Sequence, residues 1–466
     1  MTAEGRLGLD QRDRSRLLLA ATTLYPTDQQ LRIVDSLHQQ QLDEERQDNY
    51  FLQLSYTEPL GKHTFLRTQW NRRNFNHSST RNFFDLMDGG QTAIRNELLS
   101  NLYQQDYRYD QAGLRLQHNR KAWQASAALN WQHAQLGGSL ASELQPLSRS
   151  FNFSLPAARL RYKFKNSRSL SLNYRTATQE PSIAQLQPIV NNTDPLNIYQ
   201  GNPELAPEYQ HNLDLQFQEF NQFSFISLFA GISGSYTNNK ITTAQSIDSL
   251  FRRSSMPINV AYDQNVRTYA NFSAPLPFGK LKFNINASAN FNKSLVVIND
   301  LQDAVQRRNG TFSVSVENRK KEKIDWLFGG SLGYNQTRFD ISEDRNQNFN
   351  TPAWFAELRV PMGERWELFS SFDYSIYPNA DAFGERLEVP IWEASVSVLL
   401  LKDKKLRLTL AAFDLLNQNL GVSRNSNFNY LEEVRIRSLG RYLMLKSAYS
   451  LSGFGGAKMV SVKRLR

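Results

Sequence analysis

The stretch Leu281-Lys-Phe-Asn-Ile-Asn-Ala-Ser-Ala-Asn-Phe-Asn292 decides the fold class. Its odd positions (Leu281, Phe283, Ile285, Ala287, Ala289, Phe291) are apolar, and its even positions (Lys282, Asn284, Asn286, Ser288, Asn290, Asn292) are polar. Successive strand side chains point to opposite faces, so this pattern predicts a strand with one oily and one amide-lined face. Twelve residues at about 3.3 Å each span roughly 40 Å, or about 28 Å along a membrane normal at a 45° tilt. Ordinary globular strands average about 5–6 residues, whereas the apolar band of an outer-membrane barrel is about 25 Å tall. A one-sided strand of this length reads as a membrane crossing.

The same alternation recurs in Trp123, Ala125, Ala127, Leu129 and Trp131, in Phe312, Val314 and Val316, and in Leu406, Leu408 and Leu410. Aromatics close several runs, as Trp123 with Trp131 and Trp366 with Tyr374 or Tyr377 do, where an amphipathic ring suits the headgroup zone. Connections alternate in length. Short turns are expected at 59–62, 118–121, 165–168, 219–222, 275–279, 319–323, 361–364 and 402–405. Longer polar loops are expected at about 77–98, 138–149, 179–207, 240–261, 295–308, 341–349, 378–386 and 418–438. Short turns on one side and long loops on the other are the wiring of a transmembrane barrel. Eight short turns imply sixteen hairpin strands; a terminal strand near 440–452 and a candidate at Ser15–Tyr25 bring the count to seventeen or eighteen. Tyr430–Arg437 is assigned to a loop, because Glu432, Glu433, Arg435 and Arg437 cannot all avoid lipid cheaply. The expected fold is all-β, a transmembrane antiparallel β-barrel.

Composition agrees. The chain has 466 residues, 40% hydrophobic and 12% aromatic, which is wrong for a disordered chain. No run approaches the roughly 18 apolar residues of a spanning helix; the longest are Leu17–Ala21 and Val398–Leu401. There is no cysteine, which excludes disulfide scaffolds, thiol catalysis and Cys-based metal centres. The charge of +10 comes from basic residues scattered singly or at turns, so nucleic acid is not expected as a partner. The first ten residues lack the pattern of a secretory signal.

Residues 174–215 carry a further feature. The core Gly201-Asn-Pro-Glu-Leu-Ala-Pro-Glu208, led by Pro181, Pro188 and Asp194-Pro195, resembles the hallmark loop of TonB-dependent receptors, in their outer-membrane β-barrel subfamily. Leu408–Asn419, Gly440–Leu451 and the hairpin at 56–61 are similar to the same subfamily, so the likeness spans about 14–452. The resemblance implies ligand uptake across a gram-negative outer membrane, with a plug inside a barrel of about 22 strands and energy supplied through TonB. Its implied partners are outer-membrane lipid, the barrel-assembly machinery, a plug-bearing N-terminal half and TonB. The ligand class (small molecule, glycan or peptide) is left open. The expected organisation is an N-terminal segment at 1–47 with one strand at about 15–25, a barrel at 48–452 and a basic tail at 453–466. The absence of plug and signal sequences leads to the expectation that this is a fragment of a receptor. A plugless porin or structural barrel is the alternative.

Pro181, Pro188, Asp194, Pro195, Gly201, Asn202, Pro203, Leu205, Pro207 and Glu208 read first as turn chemistry, in which Gly and Asn accept positive φ and Pro fixes it. We weigh this structural role above ligand contact. Gly329-Gly-Ser-Leu-Gly333 matches the nucleophile-elbow string, but it sits mid-strand and all six histidines precede it, so no catalytic residue is expected. Those histidines stand singly, so no metal site is expected from them. Asp340, Glu343 and Asp344 share a loop that reads as solvated rather than cation-binding. No cofactor is expected. Asn284, Asn286 and Asn290 are expected to line the lumen.

Overall fold

In the computed structural model the described residues are 1–24, 33–87, 91–97, 99–140, 147–188, 190–191, 197–248, 252–319, 323–377, 386–401, 404–419, 421–426, 431–436 and 439–450. The first part of the wall holds β1 (Thr2–Leu24), β2 (Ile33–Pro59), β3 (Thr64–Met87), a short β4 (Thr92–Arg95), β5 (Asn101–Asn119), β6 (Trp123–Leu140), β7 (Leu147–Lys163) and β8 (Arg168–Gln179). A loop region follows with a single-turn helix α1 (Ile183–Leu186), β9 (Val190–Asn191) and β10 (Asn197–Gln200). The wall resumes with β11 (Glu208–Asn221), β12 (Ile226–Ile247), β13 (Arg253–Pro275), β14 (Leu281–Ile298), β15 (Leu301–Asn318), β16 (Asp325–Phe339) and β17 (Gln347–Met362). It ends with β18 (Trp366–Tyr377), β19 (Leu387–Leu400), β20 (Leu406–Phe413) and β23 (Tyr442–Tyr449), while β21 (Val422–Ser426) and β22 (Leu431–Arg435) form a separate hairpin.

Eighteen of these strands pair antiparallel with their successors in one meandering sheet, β1–β2–β3–β5–β6–β7–β8–β11 and on through β20 to β23. Each of the eight expected short turns joins two of them. The loop assignment at 430–437 needs correction: Leu431–Arg435 is a strand, paired with Val422–Ser426 in a hairpin apart from the main sheet, where its charges meet no lipid-facing wall.

The strands outrun the expectation on the long-loop side. Ile298 pairs with Leu301, so the loop expected at 295–308 is a tight turn through Asn299 and Asp300, both at positive φ. Likewise β3 continues to Met87, and β12 and β13 run to Ile247 and from Arg253. The physical reason is that the strict apolar/polar alternation stops where lipid stops, while backbone pairing continues beyond it without that period, as in Leu295–Ile298 and Phe83–Met87. At the N-terminus β1 begins at Thr2 rather than near 15, and β2 at Ile33, so most of residues 1–47 is strand. The basic tail at 453–466 lies outside the described residues.

The two faces differ as the alternation demands. Leu114, Leu129, Trp131, Phe312, Phe328 and Trp354 lie on one face and are each 43–58% exposed, an exposure that suits hydrocarbon and not water. The opposite face carries hydrogen-bonded amides and charges. On one side only, β1 pairs with β2 and β23 with β20; among the described residues no strand meets their outer edges.

Candidate functional site: a polar lumen and its loop cap

The polar face of β13–β15 is a ladder of amides. Asn265 donates to Asn290 (3.0 Å), Asn290 to Asn309 (3.3 Å), and Asn284 to Glu317 (3.2 Å). The expected lumen positions Asn284, Asn286 and Asn290 all stand here, opposite Ser273, Asn271 and Arg267 respectively. Each amide offers both a donor and an acceptor, so the wall can bind polar solute or water beside the charges of Arg267, Lys282 and Glu317.

A second arc is cationic. Arg67 stands directly opposite Arg115, and Arg115 opposite Ala128. Across β6 and β7, Ser126 faces Arg159 and Gln124 faces Arg161. Arg67 donates to Ser55 (3.2 Å), and the Nε atoms of Arg67 and Arg115 are buried without hydrogen-bond partners. Among the described residues Arg67, Arg115, Arg159 and Arg161 form no ion pair. On the far wall Glu357, Asp373 and Glu393 share the lumen face of β17–β19. The polar face thus carries mainly arginines on β3–β7 and, on β17–β19, these three acids together with Arg359. Composition hid this arrangement; only register reveals it.

The loop between β8 and β11 folds against the lumen wall. Leu186 and Leu205 are fully buried beside Tyr103, Tyr107, Ala134, Leu136 and Ile241. Pro181 and Pro207 are also buried. Gly201 donates its N–H to the Gln187 carbonyl (3.1 Å), and a Cβ on Gly201 would lie 2.2 Å from that oxygen. Glycine is required there by close backbone approach. Asn202 donates its side-chain amide to the Pro257 carbonyl (3.1 Å), and its Oδ1 accepts from Glu204 N–H (2.9 Å). Asn259 binds Ala206 in both directions, at 2.8 and 3.0 Å. Glu208, 2% exposed, accepts from Lys240 (2.8 Å), Ile241 N–H (2.9 Å) and Gln210 (3.1 Å). Arg149 pairs with Glu204. Short β10 adds in parallel to the upper end of β13. Pro188 and Pro203 are half-buried, and Asp194 and Pro195 lie outside the described residues.

The remaining candidates are dispersed. Ser331 lies mid-strand in β16, and Gly329 makes room for the Phe355 ring, which a Cβ would approach at 2.6 Å. His118 bonds Thr64, His133 bonds Asn152 and His211 bonds Tyr174, each at 2.9 Å. Among the described residues no three acidic or histidine side chains converge closely enough to hold a cation. The acidic loop instead hangs on Asp303, whose carboxylate accepts from the N–H groups of Asp340, Ile341 and Ser342 at 3.1, 3.0 and 2.9 Å.

Comparison with known proteins follows this architecture. The model of the outer membrane protein beta-barrel family matches residues 9–338. No curated protein matches the sequence. Among solved structures, the ferric citrate transporter FecA in its unliganded form is 11% identical with a TM-score of 0.47, covering 95% of this chain and 59% of that one. The copper transporter OprC is 9% identical with a TM-score of 0.40, covering 96% and 81%. The ferric preacinetobactin receptor BauA of Acinetobacter baumannii is 11% identical with a TM-score of 0.41, covering 96% and 72%. The chain therefore spans only part of each of these proteins.

Proposed function

The chain belongs to the outer membrane protein beta-barrel family and resides in the outer membrane; from that premise we propose that it is the membrane-embedded part of a ligand-uptake receptor of the TonB-dependent kind. What supports this reading is the loop after β8, whose described residues are anchored into the lumen mouth by Leu186, Leu205 and Glu208. A loop held this firmly presents its remaining polar surface to an incoming ligand instead of collapsing onto the opening. The family-motif residues act as anchors in this scheme, and ligand contact falls to the loops they position. The chemistry is recognition and passage, with no bond made or broken. Energy coupling would come from a plug-bearing segment and TonB, as partners.

The test is conduction. The chain inserted into a planar bilayer should show stepwise current, because its polar lumen spans the apolar band. A bilayer that stays sealed after insertion has been verified by protease protection would overturn the reading of an open, polar passage.

A further inference from the structure

Three cations stand on the lipid-facing side just above the apolar band, where β14, β15 and β16 leave the membrane on the long-loop side. Lys293 is opposite Gln306, Gln306 is opposite Arg338, and Arg308 is opposite Gln336. Adjacent strands lie about 4.8 Å apart, so the three charges crowd one small area. Arg308 and Arg338 are exposed. Lys293 lies over the Tyr262 ring (6.0 Å) and Arg308 over the Phe291 ring (5.7 Å), but among the described residues none of the three has a carboxylate partner. Asp340, the nearby acid on this face, accepts from Gln306 at 3.4 Å. Two other cations on this face have an acid beside them: Arg46 pairs with Asp48, and Arg72 stands opposite Asp110.

Two more features converge on this spot. Gln336, 7% exposed, has an Oε1 with no hydrogen-bond partner, although it lies between Tyr334 and Arg338 and opposite Arg308. A buried acceptor left unpaired is costly, so it calls for a donor from outside the chain. Directly below, the wall is dented. Ala270, Ala287, Ala289 and Gly310 form the floor of an apolar depression of about 540 Å³, flanked by Ile232 and Phe312. Small residues run across three adjacent strands here, so the hydrocarbon-facing wall is thin under the cations.

We propose that this face binds one phosphate-bearing lipid of the outer leaflet, its phosphate on Lys293, Arg308 and Arg338, a headgroup hydroxyl or amide N–H on Gln336, and an acyl chain in the depression. The argument is charge complementarity above and shape below, on one continuous strip of wall. Long-loop strand ends face the exterior, which assigns the outer leaflet. The proposal rests on the membrane-barrel reading, and its test separates the two.

The experiment is equilibrium binding of fluorescent bis-phosphorylated lipid A to the refolded chain in neutral detergent, with dephosphorylated lipid A and inorganic phosphate as comparisons. Refolding is verified by resistance to trypsin and by heat-modifiable migration. Each basic residue near an anionic headgroup is worth about 1 kcal/mol, or about fivefold in affinity. The triple variant Lys293→Gln, Arg308→Gln, Arg338→Gln should thus bind about a hundredfold more weakly while remaining folded. Ala289→Trp, which fills the depression, should weaken lipid binding with the three cations intact. Equal affinity for both lipid forms, or an unaltered triple variant, overturns the proposal. Full competition by inorganic phosphate at matching concentration overturns the lipid assignment and leaves a plain anion site. A chain that never acquires trypsin resistance in any micelle or bilayer defeats the barrel reading itself.

Discussion

At the scale of single residues, two buried carboxylates and one glycine fix the extracellular architecture. Glu208 and Asp303 are 2% and 4% exposed; Glu208 is held by the Ile241 N–H with the Lys240 and Gln210 side chains, and Asp303 by three backbone N–H groups of the segment it restrains. Asp303 carried no signal in sequence, and Glu208 read there as part of a structural motif loop without showing which donors hold it. Gly201 was legible as a turn residue, yet its cause is contact with the Gln187 backbone rather than positive φ. Asp303 sits above the apolar band and supports a pH prediction. Burial pushes its carboxyl up, but the N–H groups of Ser342, Ile341 and Asp340 outweigh burial and hold it below the ordinary carboxylate range. A depressed folded value means that its contribution is complete above the unfolded value of about 3.9 and is lost as pH falls through the folded one. Asp303→Asn should cost about 1.5–3 kcal/mol at pH 7, the worth of hydrogen bonds to a charged group. Urea unfolding in micelles checks this: the gap between wild type and variant should narrow toward pH 3, and a gap of constant size would refute the assignment.

At the scale of elements, the strands of the apolar band were readable because lipid imposes a strict period of two on every crossing. Leu281–Asn292 and Trp123–Trp131 lie within single strands, with the expected faces. What the period could not reach was everything above the band. There β14 and β15 continue to a two-residue turn, and β3 to Met87, without the alternation that marked the band. The lumen was half legible. Amides at alternate positions announced a polar face, but the arginine arc needed register, because Arg67, Arg115 and Arg159 are far apart in sequence and meet only through pairing. That arc shares the polar face with Glu357, Asp373 and Glu393 and should set ionic preference. Replacing Arg67, Arg115 and Arg159 by Gln removes three positive charges from the wall. The reversal potential in a potassium chloride gradient should then shift toward cation preference, most strongly at low salt, where screening is weak. An unchanged reversal potential would show that these arginines do not border the ion path.

At the scale of the whole molecule, the deciding feature is the seam. Eighteen strands form one continuous sheet, but its first and last members, β1 and β23, are not paired with each other among the described residues. Both are exposed along most of their described length, and β23 spans only Tyr442–Tyr449 while β1 spans Thr2–Leu24. Hydrocarbon does not tolerate a row of unsatisfied N–H and C=O groups, at several kcal/mol for each. In a bilayer these two edges must therefore be met, by each other or by further strands, and the proximity of β1 to β23 tells the two apart. The chain has no cysteine, so an engineered pair reports without background. Cysteines placed at Gly5, Leu7 or Leu9 of β1 and at Leu443 or Leu445 of β23 should fail to cross-link in outer-membrane preparations, since a disulfide needs Cα atoms within about 7 Å. High-yield cross-linking at any of these pairs would mean that eighteen strands close on themselves, giving a narrower passage that needs no additional strands.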